Sequence, residues 1–234
     1  HGDLGYSIKK TGKTVVDIIK EAFPVSAKLG LISLLFAEAV GLFFGILCAQ
    51  FRGKWPDYLL MVVAVLGIAL PSMVLGPILR MIFGVKLGIL PVTGWGKLNQ
   101  IILPALVLGL GTVAGNTRNM RASMLAITTQ DYVKTARAKG LSPIRVVLKH
   151  QFKNSLVPII PNLGVQIAGV LMGSFVVESM FLIPGLGRYF VDSVTNLDYP
   201  LIMGLTVFYG AFLVTMNLIV DVLYGLIDPR IRVK

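Results

Sequence analysis

The sequence predicts an all-α membrane protein, a polytopic helix bundle with five spanning helices in this chain and a cytoplasmic helical element between the third and fourth. Of its 234 residues, 55% are hydrophobic and only 14% charged, and the mean hydropathy is +0.80. A soluble domain of this size carries roughly 25% charged residues. Four windows, 58–79, 98–117, 154–177 and 199–220, hold no charge, and a fifth, 29–51, holds one, Glu38. About 20 apolar residues in a helix cross the bilayer core. The formal charge of +11 is gathered in the gaps between these windows. Cys48 is the only cysteine, which excludes a disulfide scaffold, and the apolar content excludes disorder.

The elements follow in order. Residues 1–25 read as an outer segment, and 26–234 as the membrane domain. The chain starts at His1, so a fragment or processed product is expected, and residues 1–23 are too polar for a signal peptide. Segment 14–23 sets Val15, Ile18, Ile19, Ala22 and Phe23 on one helical face. It reads as an amphipathic helix on the outer surface, or as a helix packed on the rest of the protein. The spans are expected at 26–50, 58–80, 101–122, 156–178 and 200–226. Gly41/Gly45, Gly111/Gly115 and Gly169/Gly173 have the spacing that lets helices approach closely in lipid. Pro71, Gly76 and Pro77 predict a kink in the second span.

Orientation comes from the cations. Segments 52–57, 118–153 and 228–234 carry 13 Lys/Arg and 3 acids; segments 1–28, 80–97 and 178–198 carry 9 and 6 over a longer stretch. The first set is therefore cytoplasmic, together with the C-terminus. Lys9, Lys10, Lys13 and Lys20 run against this bias.

Loop 118–153 is the most informative stretch. Thr128 and Asp131 have capping-box spacing, so a helix is expected to start near 129. Gly140 ends it in the left-handed conformation, and Ser142-Pro143 starts a second helix that runs into the fourth span. From composition the hairpin is either a lipid-surface element or a docking element for a cytoplasmic partner. In loop 178–198, Pro184-Gly185-Leu186-Gly187 predicts a tight turn.

Polar residues inside the spans are candidates for a translocation path: Glu38, Ser72, Asn116, Asn162, Gln166 and Ser174, with Thr206, Tyr209 and Asn217 as further candidates. The alternative for each is helix-to-helix hydrogen bonding. Glu38, an ionisable residue near mid-membrane, is either structural or functional. Asp221 reads as structural. No catalytic constellation and no metal site is expected, because His1 and His150 are the only histidines. Gly12-Lys13-Thr14 has Ser7 where a P-loop needs glycine.

DYVKTARAKG, the basic helix after it and NSLVP resemble the coupling loop of permease subunits from bacterial ABC importers. Lys134, Thr135 and Ala136 take the places of that loop's Glu-Ala-Ala, and Gly140 its glycine. TARAKG is similar to the B-type dipeptide/oligopeptide branch. GDLGYS (2–7), LPSMVLG (70–76), LGILPVTGW (87–95), TRNMRASML (117–125), ESMFLIPGLGR (178–188), DYP (198–200) and NLIVDVLYGLIDPRIR (217–232) resemble the same branch in order.

The resemblance implies a six-span family whose first helix this chain lacks, in a prokaryotic inner (plasma) membrane. It implies a second permease subunit, two ATP-binding subunits that carry ATP and Mg, a solute-binding protein outside, and no cofactor on this chain. Nucleic acid is not an implied partner. Loop 118–155 then contains the coupling element, with Asp131, Tyr132, Thr135, Ala136, Arg137, Ala138, Lys139, Gly140, Leu141 and Ser142 facing the ATPase. Pro184, Gly185, Leu186 and Gly187 become an outer gate or binding-protein contact. The substrates implied are dipeptides, oligopeptides, glutathione or nickel chelates. A secondary transporter or channel using Glu38 is the competing expectation, and an intramembrane enzyme lacks a nucleophile–base pair.

Overall fold

The computed structural model describes residues 4–227, apart from the side chains of residues 168, 171–173 and 223–227. The expected tail 228–234 and the environment of Gly173 lie outside the described residues. The chain is helical almost throughout, and its one β-type contact among the described residues is the isolated bridge Tyr6–Thr14. Three helices are long and apolar enough to span a membrane: α1 (Val15–Gln50), the fourth helix (Leu98–Thr128) and the last (Tyr199–Ile227, apolar through Val222). The number rises to five if each of two bent pairs is one span.

Helix α1 runs 36 residues without a break, with Pro24 inside it. Of the two readings of segment 14–23, the structure shows the helix packed on the rest of the protein and not one on the outer surface: the segment forms the first turns of α1, which runs on through residue 25. The reason is packing. Val15, Ile18, Ile19 and Ala22 are buried in a cluster with Leu186, Leu201, Leu205 and Tyr209, so this face has protein to cover it. The N-terminus of α1 is a capping box: the Asp17 N–H donates to Thr14 Oγ1 (3.1 Å) and the Thr14 N–H to Asp17 Oδ2 (3.2 Å).

The second span is divided at Leu70–Pro71. Helix α2 is Trp55–Ala69 and α3 is Ser72–Leu79, followed by a π-helical turn Arg80–Lys86. Pro71 is extended (φ −56°, ψ 146°), lacks an N–H, and accepts at its carbonyl from the first turn of α3. The proline expected to kink a helix ends one here.

Helix α4 is Leu98–Thr128 and α5 is Asp131–Ala138. A short α6 (Pro143–Arg145) leads into a π-helical stretch Val146–Phe152 and α7 (Lys153–Leu156). Helix α8 is Asn162–Phe181, α9 Leu186–Thr195 and α10 Tyr199–Ile227. The fourth span thus starts at Asn162, beyond Pro158 and Pro161, not at 156. The end of α8 and α9 form a bent pair at 85°.

The chain forms two compact units. One is built from residues up to Leu35, Leu70–Gly109 and Gln166–Leu218; the other from Phe36–Ala69, Leu110–Val165 and Ile219 onward. In the first, Leu29 of α1 packs with Ile101, Leu103, Ala105 and Val107 of α4 and with Val177 and Phe181 of α8. Phe175, Phe190 and Tyr209 form a ring cluster with centroids 4.8–6.4 Å apart.

In the second unit α1 and α4 approach closely. A Cβ on Gly41 would lie 2.6 Å from Asn116 Cβ, and one on Gly45 would collide with Met120. Gly41/Gly45 therefore is a packing motif, whereas Gly115 and Gly169 have open space beside them. Arg121 of α4 grips Asp57 of α2 with two hydrogen bonds (2.7 and 2.8 Å), and the Asp57 side chain is 3% exposed.

Candidate functional sites

The basic hairpin lies in the second unit. Asp131 opens α5 in its first turn, where a carboxylate suits the positive helix end. It pairs with Lys134 at 2.9 Å, an exposed contact worth little by itself. The N-cap of α5 is Gln130. The capping box expected from Thr128 to Asp131 does not form, because the Thr128 hydroxyl donates to the Met124 carbonyl inside α4 (2.7 Å).

The turn has the form the glycine predicts. Gly140 has φ +73°, its N–H donates to the Arg137 carbonyl (2.9 Å), and the Leu141 N–H reaches the Ala136 carbonyl (3.4 Å). This is a Schellman motif, and only glycine adopts that torsion without strain. Ser142 precedes Pro143, the first residue of α6, and caps it through its backbone only.

Val133, Ala136 and Val146 are buried together, with Ile127 and Leu141 against them. Ala136 is therefore inside the hairpin, holding its two arms together, and Leu141 is partly covered. Asp131, Tyr132, Thr135, Arg137, Ala138, Lys139, Gly140 and Ser142 are exposed, as are Ile144 and Leu148. The exposed face is thus basic with apolar points.

Gln151, missed from the sequence, fixes the hairpin's base. It is buried in the π-helical stretch, its Nε2 donates to Thr128 Oγ1 (2.9 Å), and Gln50 Nε2 reaches its Oε1 (3.4 Å). The ends of α1 and α4 are thereby tied to the hairpin. The available signal was a glutamine inside an otherwise basic helix, which is weak, but π-helical turns gather at functional sites.

Among the six path candidates, Asn116 and Glu38 are in contact: Asn116 Nδ2 donates to Glu38 Oε1 at 2.8 Å, where Gly41 allows α1 and α4 to close. Asn162 is exposed at the start of α8, Ser72 lies in the first turn of α3, and Gln166 is half-buried in α8. Ser174 is buried one turn before Glu178, to which it hydrogen-bonds.

The Pro-Gly loop lies in the first unit. Pro184 is exposed; Gly185, Leu186 and Gly187 are buried, so three of the four residues expected as a contact surface are internal. The cause is Glu178, fully buried at the end of α8. Its Oε2 accepts from the backbone N–H groups of Gly187 (2.7 Å) and Arg188 (3.2 Å), while Ser26 Oγ accepts from Leu186 (2.8 Å). Two side chains from other helices thus cap α9. A Cβ on Gly185 would run into Glu178 and Ser26, which is why glycine stands there. The sequence contained Glu178 within ESMFLIPGLGR but gave no sign that it caps a helix nine residues on.

At the other end of α9, Asp198 anchors the amino-terminal turn. Ser7 Oγ donates to it, as do the N–H groups of Ile8 (3.1 Å) and Lys9 (3.2 Å). Burial alone would raise its carboxyl, but these bonds and the Leu201 N–H outweigh burial and hold it below the usual carboxylate range. Leu182 and Leu197, one before and one after α9, both have left-handed backbones (φ 57° and 55°) and exposed side chains. Among the described residues no group of three or more His, Cys, Asp or Glu converges as a metal site.

Residues 41–233 match the family of binding-protein-dependent transport system inner membrane components. The dipeptide transport system permease protein DppB of Bacillus subtilis is 44% identical, over 98% of this chain and 75% of its own length. The oligopeptide transport system permease protein OppB of Haemophilus influenzae is 43% identical, over 99% and 76%. The glutathione transport system permease protein GsiC of Escherichia coli is 42% identical, over 100% and 76%. Among solved structures, the inward-facing MetNI methionine ABC transporter aligns with a TM-score of 0.76 at 14% identity, covering 91% of this chain and 97% of that one. An amino acid ABC transporter aligns at 0.68 and 16%, covering 89% and 94%. At such identities the likeness shows a common fold.

Proposed function

Because the chain belongs to the binding-protein-dependent transport system inner membrane component family, we propose that it is one of two permease subunits of an ATP-driven importer. In this reading the pair forms the path for di- or oligopeptides delivered by an external solute-binding protein, and two partner subunits hydrolyse ATP.

The observation that carries the reading is the hairpin. A Schellman turn at Gly140, a buried Val133–Ala136–Val146 contact and the Gln151 tie make it a stiff unit joined to the ends of α1 and α4. Coupling between distant sites is an exchange of free energy, and a loose loop would absorb a partner's movement instead of passing it on. Tyr132, Thr135, Ala138, Lys139 and Ser142 form the face toward the ATPase, on the cytoplasmic side with the C-terminus. The relatives named for dipeptide, oligopeptide and glutathione transport support a peptide-like substrate. Backbone amides of such a substrate need polar partners in the membrane. Glu38, Asn116, Ser72, Asn162, Gln166 and Ser174 are proposed to supply them.

The test is a thiol cross-link. Ala138→Cys, in a Cys48→Ser background, is expected to cross-link to the ATP-binding subunit in the assembled complex and to resist impermeant thiol reagents added outside intact cells. Labelling from outside, or an assembled complex without the cross-link, contradicts the reading.

A further inference from the structure

The loop after α8 carries a pocket that the transport reading leaves unassigned. It has a volume of about 220 Å³ and is lined by Lys10, Pro184, Arg188, Tyr189 and Asp192. A smaller hollow beside it shares Lys10, Tyr189 and Asp192 and adds Lys9.

Its cations are held in place. The Lys10 N–H donates to Ser7 Oγ (2.9 Å), and Ser7 is bonded to Asp198, so the amino-terminal turn is pinned beside α9. Lys10 Nζ then sits 3.7 Å from the Tyr189 ring centroid, a cation–π contact. Arg188 is rooted by its own backbone bond to Glu178. Its guanidinium reaches the Leu182 carbonyl at 3.4 Å and Asp192 at 3.7 Å, both long for a charged pair. Asp198, the other nearby acid, is already occupied by Ser7 and backbone N–H groups. Among the described residues that line the larger pocket, two cations, with Lys9 beside them, thus face one carboxylate, that of Asp192.

This excess lies on the side where a membrane protein is expected to be poor in Lys and Arg. Its position calls for a role other than orientation. A guanidinium fork beside an ammonium suits a planar carboxylate. A lipid-headgroup site draws on clusters of roughly 4–8 basic residues, more than this concave pocket holds.

We propose that the pocket between Lys10 and Arg188 receives an acidic side chain of the solute-binding protein, fixing that protein's register on the permease. The proposal rests on the importer reading, which places residues 178–198 outside. Leu182, whose carbonyl the Arg188 guanidinium reaches, has an exposed side chain that gives the contact an apolar neighbour.

The test uses the whole complex in nanodiscs, with ATPase activity followed as the binding protein is titrated. Lys10→Glu and Arg188→Glu are each expected to raise the half-saturating concentration by about tenfold, the equivalent of roughly 1.4 kcal/mol. Basal ATPase activity should be unchanged, Lys10→Arg near wild type, and the salt dependence of stimulation flatter in both reversals. Lys10→Gln and Arg188→Gln give the same reading if a reversal prevents assembly. Half-saturation within about twofold of wild type in assembled variants overturns the proposal. An effect that appears in phosphatidylglycerol discs and vanishes in phosphatidylcholine discs also overturns it, in favour of lipid. A wild-type complex that no binding protein stimulates takes down the importer reading itself, and this proposal with it.

Discussion

Gly140 holds the hairpin through one torsion angle. Its φ of +73° places any side chain in the left-handed region, although the space beside it is open. Gly140→Ala should therefore strain the turn by roughly 1–2 kcal/mol without a clash. The expected outcome is a complex that assembles and hydrolyses ATP at its basal rate while peptide uptake falls several-fold. Uptake equal to wild type would separate this turn from transport. The glycine was legible from the sequence because a left-handed stop after a short helix leaves a mark in residue type. Glu178 was not, because a buried carboxylate that caps a neighbouring helix leaves no local pattern. The spacing Thr-x-x-Asp occurs at both 14–17 and 128–131, yet only the first forms a capping box. At the second, α4 continues through Thr128 and turns its hydroxyl back on its own helix.

At the scale of elements, the joint at Gln151 is where the hairpin meets the ends of α1 and α4. Gln151→Ala removes both side-chain contacts, leaving the partly covered Thr128 hydroxyl with only its bond to Met124 and the exposed Gln50 amide to solvent. A loss of about 1–3 kcal/mol is expected for such a deletion. Hydrogen exchange should rise at 124–130 and 146–152 and stay unchanged around α9. Protection unchanged at 124–130 would show that the joint is not what holds the hairpin. Asp57→Asn should cost more, about 3–5 kcal/mol, because it strands a partly buried Arg121. A thermal midpoint like that of wild type in detergent would contradict this. Apolar windows located the long helices well, since burial in lipid needs only composition. Their ends were misplaced where packing or proline decides. Protein contacts extend α1 back to Val15, and Pro71 divides the second span.

The whole molecule is an all-α membrane protein of a transport-permease family, and that much was legible from charge-free windows and motif order. Its division into two compact units was not, because each unit gathers three separated segments of chain. Polarity alone marks the path candidates, and the structure pairs Glu38 with Asn116. That hydrogen bond gives Glu38 a structural partner, which an ion-site reading does not require. The most direct measurement of the central claim is uptake of a labelled di- or oligopeptide into proteoliposomes containing the full complex. ATP inside and binding protein outside should both be required, and collapsing the proton gradient should leave the rate unchanged. Uptake that persists without ATP and follows the proton gradient would contradict the account.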